Sequence, residues 1–172
     1  MMTSNKRSTV FLSLGSNIDP ETNLKRAIHL IEQRCTILAM SHAYRTPPQG
    51  FVHQADFLNL AVKISTDLDA NTLKHTVLDW VERELKRVRD PNNKNAPRTI
   101  DLDIALWNSE IFDYGEKPWH IPDRDILRFA HVALPLAEIA PDYVHPSEHV
   151  ALKMIAGHFA DEDFDKINIA AG

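Results

Sequence analysis

Apolar positions alternate between two periods along the chain, one of strands and one of helices. The run TVFLSL at residues 9–14 predicts a buried strand, closed by a turn signal at Gly15-Ser16-Asn17. Asp19-Pro20 then offers an N-cap and a first helical residue, and Leu24, Ala27, Ile28 and Ile31 recur at helical spacing, with an end expected near Gln33. A second strand is predicted over 37–44. The segment RTPPQG at 45–50 is stiff and extended because two prolines forbid helix there. FLNLAVKI at 57–64 is a third strand, and a longer helix is predicted over 70–86 with Leu73, Val77, Trp80 or Val81, Glu84 or Leu85, and Val88 along its stripe.

Residues 89–98, RDPNNKNAPR, read as loop by composition, and 99–106 as a fourth strand. Residues 111–114 suggest a short edge strand, 118–122 an extended or irregular stretch, and 132–139 and 150–159 two short helices. The order is βαββαβ with a C-terminal helical extension. It predicts an α+β, ferredoxin-like fold: an antiparallel sheet with two covering helices. The expected organisation is a flexible tail over 1–8 and a single domain over 9–172.

Composition narrows the class. The chain has 172 residues and a formal charge of −5, with 44% hydrophobic residues, which suits one globular domain. Net acidity weighs against general nucleic-acid binding. No apolar run reaches membrane-spanning length, and the N-terminal stretch lacks the apolar segment of a signal peptide. The lone cysteine, Cys35, can form no intrachain disulfide and reads as a structural thiol. These features lead us to expect a cytoplasmic monomer without nucleic-acid or membrane partners.

The chemistry concentrates in APRTIDLDIALW, residues 96–107. Alternation puts Ile100, Leu102, Ile104 and Leu106 on one face and Asp101 and Asp103 on the other, with the two acids about 6.5 Å apart. Adjacent carboxylates repel unless a cation or donors compensate them. Magnesium does this well, using one or two carboxylates and completing its shell with water and phosphate oxygens. Two ordinary acids on a solvated strand face are the plain alternative. Beside them stands a basic run, Arg83, Lys86, Arg87, Arg89, Lys94 and Arg98, suited to phosphate. That run also fits a solvated helix end. Neither GxxxxGK[ST] nor GxGxxG occurs, so a phosphate-binding site would rest on metal and arginine. A general base is not evident: His42, His53, His75 and His145 all read as surface or core residues.

Taken in order, LSLGSN at 12–17, YRTPPQG at 44–50, DFLN at 56–59, the segment from Glu82 to Arg89, PRTIDLDI at 97–104 and LPLAEIAP at 134–141 resemble the 6-hydroxymethyl-7,8-dihydropterin pyrophosphokinase family of folate synthesis. The resemblance implies transfer of pyrophosphate from ATP to a pterin hydroxymethyl group, with release of AMP. It implies that Asp101 and Asp103 hold two Mg²⁺ ions. It places Arg87, Arg89 and Arg98 on the phosphates, and Glu82 and Ile104 on the nucleotide side. Thr46, Pro47, Gln49, Phe57, Asn59 and His131 would line the pterin pocket. Phe57 and Asn59 share strand parity, one offering an aromatic face and the other an amide edge. Local roles compete for some of these: Glu82 could pair with Lys86 at i,i+4, Phe57 could be core, and Ser16 and Asn17 could cap their own turn.

The pattern also departs from the family. A tryptophan and glycine normally precede the Pro-Arg, where this chain has Asn95 and Ala96. Asp123 stands where a nucleotide-contacting histidine is usual. Phe129 and His131 stand where an arginine and a phenylalanine are usual, unless a shift gives the arginine's place to Arg128. A divergent enzyme acting on another pterin or donor, or a noncatalytic binding protein, is therefore the alternative expectation.

Overall fold

The computed structural model describes residues 6–47, 55–88, 92 and 97–169. The first half runs β1 (Ser8–Ser16), α1 (Pro20–Glu32), β2 (Thr36–Met40), β3 (Ala43–Thr46) and β4 (Phe57–Thr66). A helical stretch follows, built of α2 (Ala70–Leu73), a π-helical turn (Lys74–Leu78) and α3 (Asp79–Glu84). Then come β5 (Asp101–Trp107), the hairpin strands β6 (Phe112–Tyr114) and β7 (Trp119–Ile121), and a 3-10 turn (Arg124–Ile126). The chain continues through α4 (Ala130–Ile139), α5 (Leu152–Gly157) and β8 (Lys166–Ile167).

The main sheet runs β5-β1-β4-β3-β8, with β2 also paired to β4. All its pairings are antiparallel. Counting β2 and β3 as one interrupted strand gives the expected ferredoxin-like α+β arrangement. Among the described residues no helix is long and apolar enough to cross a membrane.

The two faces of the sheet carry separate cores. Val10, Leu12 and Leu14 of β1, with Leu58, Leu60, Val62 and Ile64 of β4, pack against Leu24, Ile28 and Ile31 of α1 and against Leu73 and Val81. On the opposite face Phe11 and Ala61 pack with Val132, Ala133 and Leu136 of α4 and Leu152 and Ile155 of α5. Because side chains alternate along a strand, this second face also carries Ser13, Gly15, Phe57, Asn59, Asp101 and Asp103. The C-terminal helices thus cover one half of the face, and the polar residues occupy the other half.

Several elements differ from the pattern-based expectation. β1 continues through Gly15 and Ser16 instead of turning, because Gly15 pairs with Asn59 on one side and Asp101 on the other. The predicted second strand breaks at Ser41, whose Oγ accepts the Ala61 N–H at 2.9 Å. The alternation in β5 fails after Ile104: Phe11 pairs with Leu106 but Leu12 pairs with Ile104, leaving Ala105 as a bulge. Leu106 therefore joins the second core, and Trp107 the first. Of the two alternatives for 118–122, extended or irregular, the chain takes the extended one as β7, with Trp119 stacked on Tyr114 at a centroid distance of 5.4 Å. Asp19 precedes α1 in a left-handed conformation (φ 40°) and makes no side-chain cap. Asn23 instead donates from Nδ2 to the Ile18 carbonyl at 2.6 Å.

Candidate active site

Asp101 and Asp103 stand near the open end of β5, on the uncovered half of the second face. Arg87 reaches Asp101 from the segment after α3, its Nη1 donating to Oδ1 at 3.1 Å. Arg98 donates from Nη1 to Oδ2 of the same carboxylate at 3.2 Å. Arg87 also donates to Glu82 Oε1 at 2.6 Å, so Glu82 pairs with Arg87 and not with Lys86 at i,i+4. Helix geometry gives the reason: Lys86 has φ 57°, and the chain leaves the helix there. Glu82 is buried, and Arg87 nearly so. The buried Arg87 Nε has no hydrogen-bond partner among the described residues.

Asn17 sets Arg98 in place. Its Oδ1 accepts the Arg98 N–H at 2.8 Å, its N–H donates to the Arg98 carbonyl at 3.2 Å, and its Nδ2 donates to the Ala55 carbonyl at 3.3 Å. Asn17 is therefore a long-range tie between β1, the entrance to β4 and the entrance to β5. Ser16 makes a local bond, from Oγ to the Ile18 carbonyl.

Two cavities meet at the acids. The first, of about 200 Å³, is lined by Gly15, Thr46, Pro47, Phe57 and Asn59 on one side and Asp123, Asp125, Phe129 and His131 on the other. Asn59 donates from Nδ2 to Thr46 Oγ1 at 2.7 Å. A Cβ on Gly15 would stand 2.7 Å from Asn59 Oδ1, so glycine there makes room for the amide. Phe129 and His131 stack at 5.2 Å with an interplanar angle of 22°, forming an aromatic wall. The Arg98 guanidinium sits 5.8 Å from the Phe57 ring. The second cavity, of about 590 Å³, is lined by Lys74, Asp79, Glu82, Arg83, Arg87 and Trp119. Asp101 and Asp103 line both. The π-helical turn shapes the second cavity: it brings Lys74 and Asp79 together, Nζ to Oδ1 at 3.1 Å, although an α-helix would put residues five apart on different faces.

The electrostatics are those of an anion cluster in need of cations. Withdrawal from solvent, then the charges of Asp101 and Asp123, push Asp103 well above the ordinary carboxylate range, with Glu82 adding and Lys74 opposing. Asp103 still has exposed surface in the cleft, so the direction rests chiefly on its acidic neighbours. Burial raises Asp123 to about 6 against the Asp125 N–H that donates to it; the Asp125 and Asp101 charges add to the rise. Burial pulls His131 below its usual value, favouring the neutral ring.

Of the residues singled out from sequence, Thr46, Pro47, Phe57, Asn59, His131, Arg98, Asp101 and Asp103 come together around the first cavity, and Glu82 and Arg87 around the second. Ile104 is buried in the first core, which leaves only its main chain for a ligand. Gln49, Arg89, Asn95 and Ala96 lie outside the described residues. Asp123 lines the first cavity, held by its N–H to the Ala105 carbonyl at the β5 bulge. Arg128 is exposed beside Asp125 at 3.8 Å and lines neither cavity. Sequence reasoning missed Gly15 as a packing partner of Asn59, and Lys74, Asp79 and Trp119 as cavity walls. No local pattern marks the last three, because a π-helical turn and a hairpin assemble them.

Residues 11–141 match the family described as 7,8-dihydro-6-hydroxymethylpterin-pyrophosphokinase (HPPK). A Bacillus subtilis 2-amino-4-hydroxy-6-hydroxymethyldihydropteridine pyrophosphokinase is 39% identical over 132 residues, covering 75% of this chain and 76% of that protein. The Haemophilus influenzae protein of the same name is 33% identical over 163 residues, covering 93% and 98%. The folic acid synthesis protein FOL1 of Dictyostelium discoideum is 34% identical over 142 residues, but the match spans only 21% of its length. Among solved structures, a Plasmodium falciparum HPPK-DHPS chain superposes with a TM-score of 0.75 at 15% identity, over 92% of this chain and 46% of that one, and shows the shared fold.

Proposed function

This chain belongs to the 7,8-dihydro-6-hydroxymethylpterin-pyrophosphokinase family, and from that premise we propose that it transfers pyrophosphate from ATP to the hydroxymethyl oxygen of 6-hydroxymethyl-7,8-dihydropterin and releases AMP. It is an enzyme of the pterin pyrophosphokinase type. The observation that carries the substrate assignment is the pair of cavities meeting at Asp101 and Asp103. The first suits a flat ring with polar edges. Phe57 and the Phe129–His131 wall supply apolar faces, and the Asn59–Thr46 pair supplies donors and acceptors. The second suits a nucleotide, with Arg87 and Lys74 as its cations and Trp119 as an aromatic wall.

The residues present fit magnesium. Asp103 has a carboxylate crowded by other acids, a state that a dication relieves. Among the described residues no group of three or more ligands forms a protein-only metal cage. That suits an ion bound by one or two carboxylates and otherwise by water and phosphate. Asp101 and Asp103 would hold two ions. When bound, such ions neutralise phosphate charge and orient the transferring group.

The protein's own contribution is placement. Arg87 and Arg98 grip Asp101 in this structure, and phosphate oxygens are the partners to which their guanidinium groups would turn. Asn17 holds the Arg98 backbone while that exchange occurs. Asn59, Thr46 and the aromatic wall hold the pterin so that its hydroxymethyl arm faces the acids. Holding both reactants in register accounts for much of the acceleration available to such a reaction. The test is direct: purified protein with ATP, Mg²⁺ and 6-hydroxymethyl-7,8-dihydropterin should form AMP and pterin pyrophosphate in equal amounts, resolved by chromatography. Folded protein that forms neither product would overturn the assignment.

A further inference from the structure

The two walls of the first cavity come from separate parts of the chain. One is the β3–β4 pair, which carries Thr46, Phe57 and Asn59. The other is the start of α4, which carries His131 and Val132, with Phe129 just before it. A hydrogen-bonded side chain ties the helix to the strand pair. Glu138, two turns further along α4, accepts the Tyr44 hydroxyl at 2.7 Å on Oε1, and on Oε2 both the His42 N–H and His42 Nδ1 at 3.0 Å each. Tyr44 is buried and pairs directly opposite Asn59 in the sheet. The chain of contact is therefore Glu138 to Tyr44, Tyr44 to its cross-strand neighbour Asn59, and Asn59 to Thr46. Glu138 touches neither cavity.

We propose that Glu138 is a positioning residue for the pterin site: it clamps α4 to β3, and thereby fixes the distance between the Phe129–His131 wall and the Asn59–Thr46 edge. The inference rests on the pterin reading above. The apolar core between β4 and α4, which includes Ala61 and Ala133, is held by the hydrophobic effect, and that effect is non-directional and does not by itself fix the register of α4. Directional bonds to a carboxylate fix it, and three of them converge here from His42 and Tyr44, just after the Ser41 break. The bridge lies on the first-cavity side alone, so its loss should loosen pterin without loosening ATP.

The experiment compares KM for pterin, KM for ATP and kcat in wild type, Glu138→Ala, Glu138→Gln and Tyr44→Phe, with melting temperature measured alongside. Glu138→Ala should raise the pterin KM about tenfold, the scale of one lost charged hydrogen bond, with the ATP KM within about twofold. Glu138→Gln can still accept from His42 and donate to Tyr44, and should recover most of the affinity. Tyr44→Phe should fall between the two. Ile31→Val, a shortening in the core on the other face, serves as the control: it should lower the melting temperature without moving either KM. Loss of melting temperature in Glu138→Ala with an unchanged pterin KM would reduce Glu138 to a stability role and overturn the proposal. Equal rises in both KM values would do the same. Absence of turnover in wild type is a separate outcome, and would overturn the functional reading on which the proposal stands.

Discussion

At the scale of single residues, the site depends on a few contacts of low tolerance. Gly15 is the clearest case. It faces Asn59 across β1 and β4, and any Cβ there would press on the amide oxygen at 2.7 Å. That oxygen belongs to a nearly buried side chain already tied to Thr46, so it cannot move without breaking the bond. Gly15→Ala should therefore reproduce the defect of Asn59→Ala. Each should weaken pterin binding by about tenfold or more while nucleotide binding stays within about twofold. Titration calorimetry with pterin and with a nonhydrolysable ATP analogue checks this; equal losses for both ligands would refute the division of the site. Asn59 stood out in sequence through the family resemblance, with its shared strand parity with Phe57 in support. Gly15 was visible only as a turn signal. Its role emerges once β1 is seen to continue through it.

At the scale of elements, the strand and helix order was legible because the sheet is built of short alternating or wholly apolar runs, and α1 has a clean stripe. What escaped was every place where tertiary contacts override local period. The β5 bulge at Ala105 turns Leu106 and Trp107 onto faces opposite to those that simple alternation assigns. It carries no glycine or proline to mark it. The π-helical turn likewise hides Lys74 and Asp79 from a 3.6-residue reading. The break between β2 and β3 is a third case. It is held by Ser41, whose Oγ accepts the Ala61 N–H and donates to the His42 carbonyl at 2.7 Å. Ser41→Ala leaves the Ala61 N–H buried without a partner, which costs about 1–3 kcal/mol. Chemical denaturation should show a lowered midpoint with an unchanged slope. A variant as stable as wild type would mean that the break is held by packing alone.

At the scale of the whole molecule, the fold assigns its two sheet faces different tasks. One face is core throughout, under α1 and the helical stretch from α2 to α3. The other is divided between α4 and α5 at one end and the first cavity at the other. In this acidic chain Arg87 and Arg98 thus meet Asp101 where the two cavities join. The central claim is that Asp101 and Asp103 join nucleotide and pterin chemistry through magnesium. The most direct test is the rate of pterin pyrophosphate formation against magnesium concentration, with both substrates saturating, in wild type, Asp101→Ala and Asp103→Ala. The account predicts that wild type rises from background with magnesium and returns to it with chelator. Both variants should stay at least about a hundredfold lower, a loss on the scale of a principal electrostatic group in a transition state, while folding and pterin binding persist. Turnover in both variants within about tenfold of wild type, with the same magnesium dependence, would contradict it.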